Sequence, residues 1–378
     1  MISLAGVLLT LAALGTAAGL LAIWALDRRL RSAVALPQPV AVTVLRPLHG
    51  AEPELAARLQ ALVEQAYDAP VQFVFGLHTA DDSAGPVVAA LVAAHPGLDI
   101  VTVVDPREHG NNHKVSNLIN MAAAARHGVL VLTDSDILVA PDWLGRVTAA
   151  LGVPGVGAVT AFYTGAPSVT GIWARLAAMA VSYQFLPGVA LGVELGLAHP
   201  CMGSTIALRA DTLSRIGGFA SIADALADDY ELGRAVRALG LTIAVPPLTV
   251  VHAHREASFA QLWRQELRWA RTTRAVDAGV GYAGQLVTFY VPLALAGTLL
   301  AGLSPVSLVV LAAALGVRGG QKYRIDRLTA TDTGPVWWLP LRDTISLAVW
   351  AASYFVRSVD WRGTRHRLAA DGTLLGKR

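Results

Sequence analysis

The chain has 378 residues, of which 54% are hydrophobic and only 15% charged, with a formal net charge of +3 and a mean hydropathy of +0.50. That composition excludes a disordered chain and is too apolar for an ordinary soluble enzyme, and so little charge makes nucleic acid a poor partner. Cys201 is the single cysteine, so neither an intramolecular disulfide nor a cysteine-based zinc site can form.

Residues 1–26 carry no charge, and Asp27-Arg28-Arg29-Leu30-Arg31 follows. As a helix this run rises about 39 Å, enough for a hydrocarbon core of ~30 Å with some tilt. A cleaved signal peptide would want its basic residues before the apolar run, not after it. Segment 1–27 is therefore predicted to be an uncleaved transmembrane anchor with its C-terminal end in the cytoplasm.

Residues 38–275 read differently. Apolar runs at 40–45, 71–77, 99–104 and 129–133 have strand character, and 52–65, 83–95 and 115–126 have helical spacing. Short apolar runs alternating with helices predict parallel strands buried on both faces, hence an α/β, doubly wound sheet. In such sheets ligands bind beyond the carboxyl ends of strands. There stand Asp81-Asp82, after 71–77, and Asp134-Ser135-Asp136, after 129–133; Asp228-Asp229 opens a later helical segment. Two carboxylates two residues apart suit a hard divalent cation that completes its shell with water and substrate phosphates. A carboxylate at 228 or 229 could accept a proton from an attacking hydroxyl, or simply favour a helix N-terminus.

Lys114 and Asn117 lie at an expected helix start, where an anion is favoured. In Trp263–Trp269, residues Gln265, Arg268 and Trp269 stand at i, i+3 and i+4 and share one helix face. Arg268 can bind phosphate oxygens, and Trp269 offers an apolar wall with an indole donor. His252 and His254 alternate like strand residues and read as structural or substrate-facing.

Three further segments point to lipid. Segment 171–198 carries only Arg175 and Glu194 as charges and is expected to be an interfacial helix pair that leaves Leu186 and Val189 exposed. Segment 278–320, uncharged to 317 and interrupted at Ser304-Pro305, predicts a transmembrane hairpin. Segment 337–378 predicts a third membrane or interfacial helix and a basic tail. Arg342 and Asp343 intrude there, which tilts the expectation toward interfacial placement.

Asp81/Asp82, Asp134-Ser135-Asp136, Asp229 and Gln265-x-x-Arg268-Trp269, in that order, resemble the family-2-type inverting glycosyltransferases, and most of all the ceramide glucosyltransferase family. Within it, the runs Arg46-Pro47-Leu48-His49-Gly50, Lys114 to Met121 and Leu226 to Tyr230 look like the bacterial hopanoid-biosynthesis branch. The resemblance covers residues 40 to 275, with similar membrane ends. It implies a GT-A (Rossmann-like) domain in the cytoplasm, fixed to the bacterial inner membrane by several segments. It assigns UDP-sugar binding to Pro47, His49, Asp81 or Asp82, Lys114 and Asp134, and a Mg²⁺ or Mn²⁺ ion to Asp134 and Asp136. Asp229 is implied as catalytic base, with Gln265, Arg268 and Trp269 near diphosphate and acceptor; both aspartate doublets leave the register open by one residue. The implied reaction transfers N-acetylglucosamine from a UDP-sugar to a hopanoid alcohol like bacteriohopanetetrol. Alternatives are glucosylation of ceramide from UDP-glucose and processive polysaccharide synthesis. The implied partners are thus a UDP-sugar donor, a membrane lipid acceptor and the phospholipid bilayer.

Overall fold

The two kinds of apolar pattern fold into two kinds of unit. The computed structural model describes residues 3–32, 38–276 and 279–356, and the backbone of the short strands Ser358–Trp361, Thr364–Leu368 and Leu374–Leu375; the rest of the basic tail lies outside the described residues. A helical unit comprises Met1–Leu30, Thr164–Ala198 and His254–Arg365, and a sheet unit Arg31–Tyr163, His199–Ala253 and His366–Arg378. Segments 164–198 and 254–275, read from the sequence as parts of the catalytic domain, belong to the helical unit.

The strands up to residue 254 are β1 (Val42–Pro47), β2 (Val71–Leu77), β3 (Asp99–Val104), β4 (Val129–Leu132), β5 (Ile137–Leu138), β6 (Val156–Thr160), β7 (Phe162–Pro167), β8 (Ile206–Arg209), β9 (Thr242–Ala244) and β10 (Thr249–His254). Seven form one sheet in the order β3-β2-β1-β4-β8-β6-β9. The expected α/β alternation is present, and β1 to β4 are parallel neighbours. Alternate residues feed two cores: Val42, Val44, Phe73, Phe75 and Val131 on one face, and Leu45, Val74, Leu130 and Leu132 on the other. Two expectations need correction. The edge strand β3 is only partly buried, having one neighbour. The sheet is also mixed, because β8 runs antiparallel to both β4 and β6.

Among the described residues of the helical unit, three helices are long and apolar enough to cross a membrane: Leu4–Leu30, Ile172–Glu194 and Gly281–Leu300. The first packs closely on the third through small residues, for a Cβ on Gly15 would lie 2.0 Å from the Val287 carbonyl oxygen. The expected turn at Ser304-Pro305 is present, Ser304 capping the helix Pro305–Thr329, which runs nine residues past its expected end at 320 and carries Arg318, Lys322, Arg324 and Arg327.

Segment 171–198 forms one continuous helix instead of a pair, with a π turn at Val181–Phe185. Pro187 cannot donate to the carbonyl of Tyr183 one turn earlier. Arg318 donates to that carbonyl instead, so the proline is absorbed without a break. Leu186, expected to be exposed, is fully buried. Glu194 ends the helix in ion pairs with Arg28 (2.7 Å) and Arg29 (2.8 Å).

The helix Leu339–Ala352 has 14 residues and rises only about 21 Å, short of a ~30 Å hydrocarbon core. Its Arg342 and Asp343, which suggested an interfacial position, are both buried and paired within the protein.

Candidate active site

β1 and β4 end side by side, so their carboxyl ends open on the same place. Arg46, the penultimate residue of β1, is fully buried beneath the turn that follows β4. Its Nη2 donates to the carbonyls of Ser135 (2.8 Å) and Ile137 (2.6 Å). Arg58, from the helix Leu55–Val63, donates Nε–H to the Ser135 carbonyl (3.0 Å), and the Ser135 hydroxyl donates to Glu52 (3.2 Å). Burial, and then the neighbouring Arg58, lower the Arg46 pKa to about 10, which leaves it charged at neutral pH. Charged donors thus clamp the Asp134-Ser135-Asp136 turn, each bond contributing roughly 1.5–3 kcal/mol.

Asn112 caps the helix His113–Ala122, its Oδ1 accepting from Val115 N–H (3.1 Å). This places Lys114 in the first turn, where its ammonium lies 2.7 Å from Asp134 Oδ1 and 3.1 Å from Asp228 Oδ2. Burial alone would lower the Lys114 pKa, but the carboxylates of Asp134, Asp228 and Asp229 outweigh it and the net shift is upward. Asn117 points elsewhere, donating to the Gly76 carbonyl of β2 (2.9 Å) as a structural contact.

The antiparallel course of β8 completes the cluster. Leu132 pairs with Ile206, so the residues just before β8 reach the carboxyl end of β4. Gly203 N–H donates to Asp229 Oδ2 (2.8 Å), and Tyr230 N–H to Asp229 Oδ1 (2.8 Å). Both carboxylate oxygens are therefore fixed at the start of the helix Asp228–Ala238. Burial, and then the charge of Asp228, push the Asp229 pKa up to about 6. Burial likewise raises the Asp134 pKa against the opposing pull of Lys114. Pro47, Lys114, Asp134, Asp228, Asp229 and Gly203 line one crevice, walled on its apolar side by Leu132, Ile206 and Phe219.

Gly203 had no local signal in the sequence. A Cβ there would stand 3.0 Å from both Asp134 Oδ2 and Lys114 Nζ, and 3.5 Å from Asp229 Oδ2. Gly203→Ala is expected to part Lys114 from Asp134 and lower kcat by about 10–100-fold, the usual cost of misplacing a reacting group by ~1 Å. Its melting temperature should barely move. Unchanged turnover at an unchanged melting temperature would show that the methyl group is accommodated.

The remaining predicted residues fall outside this cluster. Asp82 Oδ1 accepts from Gly50 N–H (2.9 Å) and Ala84 N–H (2.8 Å), and His49 Nδ1 lies 3.7 Å from Asp82 Oδ2. Asp82 thus ties the loop after β1 to the helix Gly85–Ala94, whereas Asp81 is exposed. Asp136 lies beside His252 (Oδ2 to Nε2, 3.3 Å), because β5 pairs with β10 in the register Ile137 to His252. The Tyr163 ring lies 5.9 Å from that of His252. Burial, then the carboxylates of Asp229, Asp136 and Asp134, raise the Tyr163 pKa. Tyr163 is another site-edge group that sequence reasoning missed. Gln265, Arg268 and Trp269 lie in the helical unit on the helix Phe259–Val276, where Trp269 meets His254 edge to face with centroids 6.0 Å apart.

A hard divalent cation fits the donor set. Asp134, beside Lys114, and Asp136, beside His252, flank the clamped turn and would be the carboxylates to hold the cation. Among the described residues no group of three or more His, Cys, Asp or Glu side chains gathers to hold an ion unaided. The rest of the shell would come from substrate oxygens and water, the arrangement Mg²⁺ usually adopts.

The chain is similar to ceramide glucosyltransferase 1 of Caenorhabditis elegans, 22% identical over 231 residues that cover 61% of this chain and 49% of that protein. It is also similar to the ceramide glucosyltransferase of Komagataella phaffii, 29% identical over 119 residues that cover 30% of this chain and 23% of that one. The match thus spans at most about half the length of these curated relatives. Among solved structures, the mannosyltransferase PcManGT of Pyrobaculum calidifontis, in complex with GDP-Man and Mn²⁺, superposes with a TM-score of 0.51 at 21% identity, covering 93% of this chain and 99% of that one. That likeness establishes the GT-A type of fold. The profile of glycosyl transferase family 21 matches residues 7–374, nearly the whole length, and the chain belongs to that family.

Proposed function

We propose that this protein transfers a hexose, with inversion, from a UDP-sugar to a hydroxyl group of a membrane lipid. The carrying observation is Asp229, a half-buried carboxylate whose pKa is pushed up to about 6, held by Gly203 and Tyr230 in one crevice with Lys114 and Asp134. A carboxylate near pKa 6 is a better proton acceptor at neutral pH than one near 4.

In this reading Asp229 takes the proton of the attacking hydroxyl. The freed oxygen bonds to the anomeric carbon as the bond to the diphosphate breaks, and UDP leaves. Lys114 counters the diphosphate charge, and Pro47, His49 and Asp81 or Asp82 serve the nucleotide. Gln265, Arg268 and Trp269 serve the diphosphate and acceptor, an assignment that rests on their motif. Asp134 and Asp136 would hold Mg²⁺ or Mn²⁺, which when bound neutralises charge developing on the leaving group; the solved mannosyltransferase of like fold holds Mn²⁺. Three helices with the length and composition of membrane spans support a lipid acceptor, and the proposed setting is the bacterial inner membrane with the sheet unit in the cytoplasm.

For the finer substrates we propose N-acetylglucosamine and a hopanoid polyol, on the strength of the runs 46–50, 114–121 and 226–230. Glucose transfer to ceramide is the second reading, favoured by the ceramide glucosyltransferases among the relatives. Membranes carrying the protein should be given UDP-glucose or UDP-N-acetylglucosamine, each with a hopanoid polyol or ceramide, and the lipids weighed by mass spectrometry. An N-acetylhexosamine on the polyol is the expected product; a hexose on ceramide would select the second reading. No glycosylated lipid in any combination would overturn both.

A further inference from the structure

The helix that carries Gln265, Arg268 and Trp269 is gripped by a second helix whose function the motif does not explain. Glu266 lies inside the motif, between Gln265 and Arg268, yet its side chain is buried where theirs are only partly so. At ~100° per residue, Leu262 and Glu266 share one face of the helix Phe259–Val276, and these two are its buried residues. Measured from Glu266, Trp269, Gln265 and Arg268 follow in the same sense around the axis at about 60°, 100° and 160°.

Arg342, on the helix Leu339–Ala352, is completely buried and meets Glu266 with both arms of its guanidinium. Nη1 donates to Oε1 and Nη2 to Oε2, each at 2.6 Å. Nη2 also donates to Ser346 Oγ (2.9 Å), which holds the fork in its plane. A planar fork on a planar carboxylate fixes orientation as well as distance, so it resists rotation of the motif helix about its own axis. The same two helices are tied again further along. Arg274 donates to the Ser353 carbonyl (2.7 Å) and lies over the Tyr354 ring, 4.5 Å from its centroid, while Arg271 reaches the same carbonyl at 3.3 Å. Those arginines meet the negative end of the shorter helix, where cations are favoured.

We propose that Leu339–Ala352 is a brace for the motif helix and that Arg342 is a positioning residue, fixing through Glu266 the rotation at which Gln265, Arg268 and Trp269 are presented to the substrate. This rests on the proposed role of those three residues at the diphosphate and acceptor. It gives Arg342 a purpose that membrane placement does not, since a charge needed only at a lipid interface would have no reason to be buried against the motif.

The brace contains its own control. Asp343, the next residue, is equally buried but pairs with Arg318 of the helix Pro305–Thr329, not with the motif helix. Losing either ion pair loosens the same helix, and only one of them orients the motif.

The test uses the full-length protein in detergent or nanodiscs, with kcat, KM for UDP-sugar and lipid, and melting temperature measured for each variant. Arg342→Lys, which keeps the charge and loses the fork, and Glu266→Gln should lower kcat by about 10–100-fold while the donor KM changes little. The exchange variant Arg342→Glu/Glu266→Arg should recover most of that loss. Asp343→Asn should lower the melting temperature comparably and leave kcat within about threefold of wild type. Ser346→Ala, which removes one hydroxyl and frees the fork to tilt, supplies a milder variant and should give a smaller kcat loss in the same direction. The proposal is overturned if Asp343→Asn loses as much kcat as Arg342→Lys, or if Arg342→Lys and Ser346→Ala turn over like wild type. An active wild type with indifferent Arg342 variants refutes the positioning role alone. An inactive wild type refutes the functional reading and this inference with it.

Discussion

Replacing Asp229 with asparagine is expected to leave UDP-sugar binding intact and to lower kcat by about 10²–10⁴-fold, the range for loss of a general base. The substitution keeps the size of the side chain, and its carbonyl oxygen can still accept from Gly203 N–H. What it removes is the proton-accepting oxygen. The direction of the pKa shift adds a second readout. With the carboxyl group pushed up to about 6, chiefly by burial and then by Asp228, the base is ionised above that pH and protonated below it. Wild-type kcat should therefore rise with pH through one ionisation near 6 and level off above it. The residual activity of Asp229→Asn should lack that step. If Asp228→Asn is the inactive variant and Asp229→Asn works, the base is the residue now paired with Lys114 at 3.1 Å.

Removal of divalent metal should be nearly as severe. Excess chelator is expected to lower turnover by about 10²-fold or more, because a metal contributes several kcal/mol toward charge on the leaving group. Mn²⁺ or Mg²⁺ should restore it. Asp134→Asn should lower turnover and weaken donor binding together, because it removes one carboxylate from the turn and leaves Lys114 with Asp228 as its near partner. Full turnover in chelator would eliminate the metal and leave Lys114 as the cation that meets the diphosphate.

Much of the sheet unit could be read in the sequence for a simple reason. β1 to β4 and the helices between them are local elements, each marked by a run of four to ten residues with one periodicity. The acidic turns followed, because strand ends in such sheets are where ligand groups gather. What could not be read depends on partners distant in the chain. Arg342 and Asp343 looked costly in an apolar segment, and their partners Glu266 and Arg318 lie 76 and 25 residues away. The helix pair expected at 171–198 is one helix, because a π turn and Arg318 accommodate Pro187. Gly203 sits in an irregular stretch with no period, and its importance comes only from the direction of a four-residue strand. In the Asp81-Asp82 doublet the sequence could not separate the two, whereas backbone donors from Gly50 and Ala84 distinguish Asp82 at once.

The insertion of β8 between β4 and β6 also sets a timetable for synthesis. β4 emerges from the ribosome about 75 residues before the strand that will cover its open side. At roughly 5–20 residues per second, that delay is about 4–15 seconds. Meanwhile the nascent sheet β3-β2-β1-β4 already carries Lys114 and the Asp-Ser-Asp turn, but β4 presents an unpaired edge of Val129 to Leu132, the kind of surface that recruits other chains. Closing that edge and delivering Gly203 to Asp229 are a single event, so a chain that stalls or is truncated before β8 is both inactive and prone to aggregate. Slowing translation between codons 133 and 205 should thus lower the yield of folded protein more than the same delay placed after codon 209.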